Sequence, residues 1–282
     1  MSGIYTNVNA LRATNALVNN GRTLSTAMQQ LSTGKRINSA ADDSAGLAMS
    51  ESMTAQIRGL DMAVRNANDA ISLLQTADGA LVAQTDMLQR MRELAVQSAS
   101  DTVSSTERGY LSTEYAALLT QINSVGANTQ WNGIAVLSGS GQQISSTSGE
   151  YTFHVGANGA SGEIITVTIN NMSASSGSGQ YSLESSLSVS NSSTAITSLD
   201  DSIDAVASQR ASIGAAMNQL TYAADNLTNI SQNVTESRSR ILDADYAKAS
   251  SMLARSQIIQ QAATAMLAQA NQQPQMVLAL LK

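Results

Sequence analysis

From Ile57 onward, apolar residues recur at Ile57, Leu60, Val64, Ala67, Ile71 and Leu74, and after a polar Asp78 at Leu81 and Leu88. Steps of three and four residues place them on one helical face, as in a heptad stripe. The pattern predicts one long helix, roughly 58 Å for residues 57–95 at about 1.5 Å per residue. Ser39, Asp42 or Ser44 would cap its start. A second stripe, far along the chain, holds Leu199, Ile203, Val206, Ile213, Met217, Leu220, Ala224, Leu227, Val234 and Ile241, interrupted by Arg210, Ser231 and Arg238. It predicts a helix of about 60 Å, matched in length to the first and able to pack along it. A shorter stripe, Leu111, Tyr115, Leu118, Ile122 and Val125, ends near Gly126, the expected C-cap.

Both chain ends carry weaker helical patterns. Leu17, Leu24, Met28 and Leu31 recur near the N-terminus, with Gly21 inside the stripe. Leu242, Tyr246, Ala249 and Leu253 recur near the C-terminus, followed by Ile258, Ile259, Met266, Leu267 and the apolar tail Val277, Leu278, Leu280, Leu281. Each end has the other as its evident partner. Their Ala, Gln, Asn and Ser content makes a thin seam, so both ends are expected to be weakly stable alone and to order on assembly. The stretch from Ser138 to Ser193 changes period. Tyr151, Phe153 and Val155 alternate with polar residues, as do Ile165, Val167 and Ile169, with Gly156, Gly159 and Gly162 between them. That predicts a β-hairpin inserted between helical halves, followed by a linker-like Ser175–Gly179 run.

The expected fold is therefore mainly α: a long antiparallel helical coiled-coil rod built from both chain ends, with a small β-rich insertion in the middle. Residues 1–40 and 246–282 would be terminal coiled-coil helices. Residues 41–137 and 196–245 would form the helical rod, and 138–195 a Ser/Gly-rich outer insertion.

Composition narrows the function. The chain has 282 residues, no Cys, one His and one Pro, and only 3% aromatic residues. That removes thiolate metal sites, a Cys nucleophile and a His-rich zinc centre. A net charge of −6 argues against a nucleic-acid binder. No apolar run reaches membrane-spanning length, and the first residues lack the pattern of a cleaved signal peptide. His154 sits in a strand pattern with no defined nucleophile or orienting acid, so it reads as a strand residue rather than a base. Asp42–Asp43 and Asp200–Asp201 read as helix-start carboxylates rather than catalytic pairs. No phosphate-binding glycine motif occurs. The N-x-[ST] sequences at Asn171, Asn191, Asn226 and Asn229 carry little weight, those on the helical stripe least of all. A polar cluster on the first long helix, Gln89, Arg90, Arg92, Glu93, Leu94 and Gln97, reads from composition alone as a solvated, charge-paired face.

Longer runs change that picture. Leu31–Gly46 reads LSTGKRINSAADDSAG, Arg65–Ser72 reads RNANDAIS, and Arg92–Ser98 reads RELAVQS. Thr129–Gly133 reads TQWNG, Ser239–Tyr246 reads SRILDADY, and Leu267–Gln272 reads LAQANQ ahead of the Pro274–Leu281 tail. In these motifs, over residues 1–137 and 196–282, the chain closely resembles bacterial flagellin. The resemblance implies a structural, non-enzymatic subunit that needs no cofactor. It implies unfolded export through the flagellar type III apparatus and polymerisation under a distal cap into an extracellular filament. The implied filament-core and chaperone-binding residues are Leu17, Leu24, Met28, Leu31, Leu253, Ile258, Ile259, Met266, Leu267, Val277, Leu278, Leu280 and Leu281. Gln89, Arg90, Arg92, Leu94, Gln97 and Glu114 match the surface read by a host Toll-like receptor, which in the filament would contact neighbouring subunits. The implied partners are further copies of the chain, cap and junction proteins, an export chaperone and that receptor, with no nucleic acid and no membrane. A hook-filament junction protein shares similar terminal helices, and an adhesive middle segment is a further alternative.

Overall fold

The computed structural model describes residues 7–138, 149–158, 163–172 and 191–280, with side chains to residue 272. The expected linker-like run and the tail side chains of Val277, Leu278, Leu280 and Leu281 lie outside the described residues. In order, the described elements are α1 (Val8–Thr33), α2 (Ser44–Ser98), α3 (Ser105–Asn128), β1 (Gln130–Trp131), β2 (Ile134–Ala135), β3 (Glu150–His154), β4 (Ile164–Thr168), α4 (Ser192–Leu242) and α5 (Tyr246–Leu280). The mainly helical expectation holds. The chain divides into two compact units, within α2 after Gln56 and within α4 after Ser231.

In residues 57–231 a single core joins α2, α3, α4 and the β segments. Its α2 seam falls at Leu60, Ala63, Ala67, Ala70, Leu74, Ala77, Leu81, Gln84, Leu88 and Met91, in unbroken steps of three and four. The expected stripe was half right. Leu60, Ala67, Leu74, Leu81 and Leu88 are buried, whereas Ile57, Val64 and Ile71 flank the seam and are half-buried. Alanine takes the alternate positions at 63, 70 and 77, where a small side chain lets helices approach closely, and Gln84 and Met91 continue that row. The same rule shapes α4, where Leu199, Val206, Ile213 and Leu220 alternate with Ala195, Ser202, Gln209 and Ala216. Asp78 and Arg210, which interrupt the two stripes, meet as an ion pair at 2.8 Å.

Helix α3 starts with a reciprocal box. The Ser104 hydroxyl accepts from the Glu107 N–H, and Glu107 Oε2 accepts from the Ser104 N–H at 2.8 Å. Gly126 does not cap it, because the helix runs on to Asn128. The glycine serves close approach instead: a Cβ there would stand 2.8 Å from the Met172 carbonyl oxygen. A small antiparallel hairpin missing from the sequence reading follows, pairing Gln130 with Ala135 and Trp131 with Ile134. Its turn is Asn132–Gly133, both at positive φ.

The predicted hairpin is present, with β3 and β4 antiparallel and Tyr151 opposite Val167. It is not a soft appendage. Val155, Ile165, Val167, Ile169 and Met172 are buried in the same core as the helices. Two buried glutamines secure it. Gln84 Nε2 donates to the Met172 carbonyl at 3.0 Å and to the Ile122 carbonyl at 3.3 Å. Gln209 Nε2 donates to the Thr168 carbonyl at 2.9 Å, and its Oε1 accepts from the Asn170 N–H at 3.3 Å. Asn66 Nδ2 donates to the His154 carbonyl, so this histidine holds a strand in place through its backbone.

The other unit comprises residues 1–56 and 232–282. Here α1 packs on α5. Ala13, Leu17, Asn20, Leu24, Ala27 and Leu31 of α1 form one seam, and Ala249, Leu253, Ser256, Ala263, Leu267 and Ala270 of α5 form the other. Two asparagines form rungs across it: Asn20 Nδ2 donates to the Ser256 carbonyl and Asn7 Nδ2 to the Ala270 carbonyl, both at 2.7 Å. Gly34 ends α1 in the left-handed conformation at φ 69°. Beyond it the chain is stitched to the end of α4. The Arg36 N–H donates to the Leu242 carbonyl at 2.7 Å and the Ala244 N–H to the Gly34 carbonyl at 2.9 Å. The Arg36 guanidinium donates to the Ile241 carbonyl at 2.6 and 3.1 Å, where unpaired helix-end carbonyls favour a cation.

Asp42 and Asp43 divide the work expected of them. Asp43 Oδ1 accepts from the Gly46 N–H at 2.9 Å and caps α2. Asp42 instead accepts from the N–H groups of Asn38 and Ser39 and from the Ser39 hydroxyl. Hydrogen bonds from the Asn38 and Ser39 backbone hold its carboxyl below the usual range.

Candidate functional site

The heptad seam of α2 faces the core, so Gln89, Arg90, Arg92, Glu93, Val96 and Gln97 project to solvent. They line one side of an open surface crossed by charge pairs. Arg90 reaches Glu114 of α3 with Nε at 3.0 Å and Nη2 at 2.9 Å, while its Nη1 reaches Glu93 at 2.9 Å. On the other side Arg92 Nε meets Asp200 of α4 at 2.5 Å. The two arginines thus tie α2 to both neighbouring helices. Asp200 is not a helix-start carboxylate, because α4 begins eight residues earlier at Ser192.

The pairing shifts both arginines and Asp200. The hydrogen bond to Glu93, then that to Glu114, raises the Arg90 pKa above its ordinary value. Asp200 raises that of Arg92, and the hydrogen bond from Arg92 lowers that of Asp200. Between them Gln89, Arg92, Glu93, Val96 and Gln97 line an open groove of about 530 Å³. Side chains held in this way present a preset pattern of donors and acceptors around an exposed Val96. Leu94 departs from the expected set. It is 1% exposed, turned into the core by its place beside the seam, and supports the face from beneath.

The terminal pair offers a second surface. Leu17, Leu24, Leu31, Leu253 and Leu267 lie in or beside its seam, half-buried. Met28, Ile258, Ile259 and Met266 do not. They point away from it, Ile258 at 67% and Met266 at 63% exposure, joined on α1 by Leu11 at 63%. These exposed apolar side chains stand on several sides of the two helices rather than along one stripe. Among the described residues no group of His, Cys, Asp and Glu is placed to hold a metal ion. No described helix is long and apolar enough to cross a membrane.

Residues 4–142 match the bacterial flagellin N-terminal helical region, and residues 196–281 the bacterial flagellin C-terminal helical region. The chain belongs to the bacterial flagellin family. It is 43% identical over 256 residues to a flagellin of Halalkalibacterium halodurans, covering 91% of each chain. It is 37% identical to the flagellin of Bacillus subtilis over 98% of each chain. A flagellar filament 33 kDa core protein of Treponema phagedenis is 38% identical, again over 98% of each. Among solved structures, the crystal structure of Bacillus cereus flagellin aligns with a TM-score of 0.48 and 28% identity, covering 58% of this chain and 88% of that one. As a flagellin the protein is a structural subunit of the flagellar filament, self-associating and not an enzyme.

The sequence reading missed Gln84, Gln209 and Asn20, the polar groups that fix how the helices and hairpin meet. A glutamine or asparagine standing at a seam position is the signal that marks them.

Proposed function

We propose that the α1–α5 pair is the assembly element of this flagellin and that the Arg90–Arg92 face of α2 is its recognition element. The subunit would leave the cell unfolded through the flagellar type III apparatus, held beforehand by an export chaperone on its C-terminal helix. It would then add beneath a cap protein to an extracellular filament that begins at junction proteins. In that filament residues 1–40 and 246–282 form the core, 41–137 and 196–245 the surrounding shell, and 138–195 reach outward.

The observation that carries this reading is the set of exposed apolar side chains, Leu11, Met28, Ile258, Ile259 and Met266, spread around a helix pair whose own seam is mostly Ala, Leu, Asn and Ser. Burying them between copies recovers roughly 25 cal/mol per Å² of apolar surface, which a lone subunit forgoes. Seeded polymerisation followed by electron microscopy tests it. Ile258→Asp with Met266→Asp is expected to stop elongation while leaving the main melting transition in place. Wild-type elongation would overturn the assignment. Long filaments from the unmodified chain would also separate this reading from a junction protein.

The tied Arg90, Arg92, Gln89, Gln97 and Glu114 surface supports recognition of the monomer by a Toll-like receptor. Arg90→Ala breaks the link between α2 and α3 and is expected to weaken receptor signalling by purified monomer. Unchanged signalling at equal dose would refute it.

A further inference from the structure

The sequence holds three Asn–Gly steps, Asn20–Gly21, Asn132–Gly133 and Asn158–Gly159. Asn132 and Asn158 lie in residues 57–231, the unit closed around its own core. Asn20–Gly21 stands in the middle of α1, in the unit that assembly is expected to order. Asn20 is buried in the α1–α5 seam, and its Nδ2 donates to the Ser256 carbonyl at 2.7 Å. Packing gives no reason for glycine beside it, since a Cβ on Gly21 would meet nothing within 4 Å among the described residues. Glycine is also among the least helix-favouring residues. The step therefore weakens α1 and sets a carboxamide next to an unshielded, freely turning backbone nitrogen.

We infer that Asn20–Gly21 is a deamidation site of the free subunit that assembly protects, so that a subunit left unassembled loses its competence to join. This rests on the reading of α1–α5 as the assembly element. With α1 open, the Gly21 backbone nitrogen gives its proton to solvent and attacks Asn20 Cγ. A C–N bond closes a succinimide ring, the Cγ–Nδ2 bond breaks, and Nδ2 takes up a proton and leaves as ammonia. Water then opens the ring at one carbonyl to aspartate or at the other to iso-aspartate. Water is consumed, ammonia is released, and nothing is oxidised or reduced. Within α1 the step is blocked twice: the Gly21 N–H is committed to the helical ladder, and the Asn20 carboxamide is held by Ser256. Either product replaces the donor facing the Ser256 carbonyl with a carboxylate that only accepts. That charge would enter a buried position, and residues 1–41 and 246–282 hold no other Asp or Glu. Iso-aspartate also adds an atom to the main chain and breaks the ladder around it.

Ageing full-length monomer and filaments grown from it in the same buffer tests this, with site-resolved mass spectrometry of the peptide around Asn20. Conversion at Asn20 is expected to be about tenfold or more slower in filaments, as for a reaction that needs the helix pair open. Equal rates in monomer and filament would overturn the inference. Seeding partly aged monomer then sorts the chains: filaments should be depleted of converted Asn20, and the unincorporated fraction enriched. The same converted fraction in both would overturn the link to assembly. Gly21→Ala, which the open space around Gly21 accommodates, should slow conversion about tenfold and keep aged monomer able to elongate. Aged Gly21→Ala that loses elongation as fast as the parent would also overturn it. Should that variant fail to elongate when fresh, the sorting of parent chains decides alone. Fresh parent monomer that does not elongate at all would instead count against the assembly reading itself.

Discussion

The two compact units of this flagellin are built from the same material, long helices poor in aromatics, yet they close in different ways. In residues 57–231, α2, α3, α4 and a β-hairpin surround a continuous core in which Leu74, Leu81, Leu88, Ile213 and Leu220 are fully buried. In the terminal unit the α1–α5 seam leaves Leu17, Leu24 and Leu253 only half covered, and two asparagine rungs and a backbone stitch hold the pair. A third layer makes the difference. A two-helix pair covers each helix on one side, so its remaining apolar residues stay open to an external partner. The first unit is complete as a fold; the second leaves apolar side chains uncovered on both of its helices.

The sharpest way to break this comparison is to remove the third layer where it exists. Deleting residues 149–172 takes Ile165, Val167, Ile169 and Met172 out of the core, and is expected to abolish the cooperative melting transition seen by circular dichroism. A deletion variant that melts like the parent would show that the helices close without the hairpin. Next, Ile213→Ala should cost about 2–5 kcal/mol in urea unfolding, whereas Leu24→Ala on the half-covered seam should cost about 1 kcal/mol or less. Equal losses would erase the distinction between the units.

Smaller effects sharpen it. Gln209→Ala leaves the Thr168 carbonyl and the Asn170 N–H without that partner in a buried setting, and should cost about 1–3 kcal/mol. Asn20→Ala should cost about 1 kcal/mol, visible mainly as faster amide exchange in α1 and α5 with α2 and α4 unaffected. Exchange that rises uniformly through the chain would mean the rung serves the whole fold.

The smallest effect concerns the surface pairs. Arg92→Ala should leave the midpoint of urea unfolding nearly unchanged at neutral pH, because the pair with Asp200 is solvent-exposed and screened. Its pH signature has a definite sign. Asp200 titrates lower when folded, so its contribution is present above the ordinary carboxylate range and fades as pH falls through its lowered value. Asp42 and Glu107 follow the same direction, from hydrogen bonds donated by Asn38 and Ser39 and by Ser104. In acid titrations followed by circular dichroism, Arg92→Ala should narrow the gap between neutral and acidic stability. A gap as wide as the parent's would show that the pair contributes nothing.

The periodic stripes made the helices legible, but not which flank of each stripe was the seam. Large residues such as Ile57, Val64 and Ile71 stand out in a sequence, while Ala63, Ala70 and Ala77 do not, although the alanines are the buried ones. Close packing selects small side chains, and hydrophobicity alone does not register that choice. The β3–β4 hairpin was visible as alternation, but its place in the core was hidden by Ser- and Gly-rich flanks. Two local signals stand in the sequence itself: Ser104-x-x-Glu107 as a capping box and Asn132–Gly133 as a tight hairpin turn. On the Arg90–Arg92 face, the exposure of Gln89, Arg90, Arg92 and Gln97 follows from helical period, whereas the burial of Leu94 does not.

By itself the sequence determined the helical class, the hairpin and the family, because each is written in local period or motif. Tertiary structure alone decided that Arg36 meets Ile241 across 205 positions, that Arg92 meets Asp200, and that Gln84 and Gln209 hold the hairpin. Those contacts depend on which helix faces lie together. A chain's periodicity fixes how each helix is striped, and only the packed neighbours fix what each stripe touches.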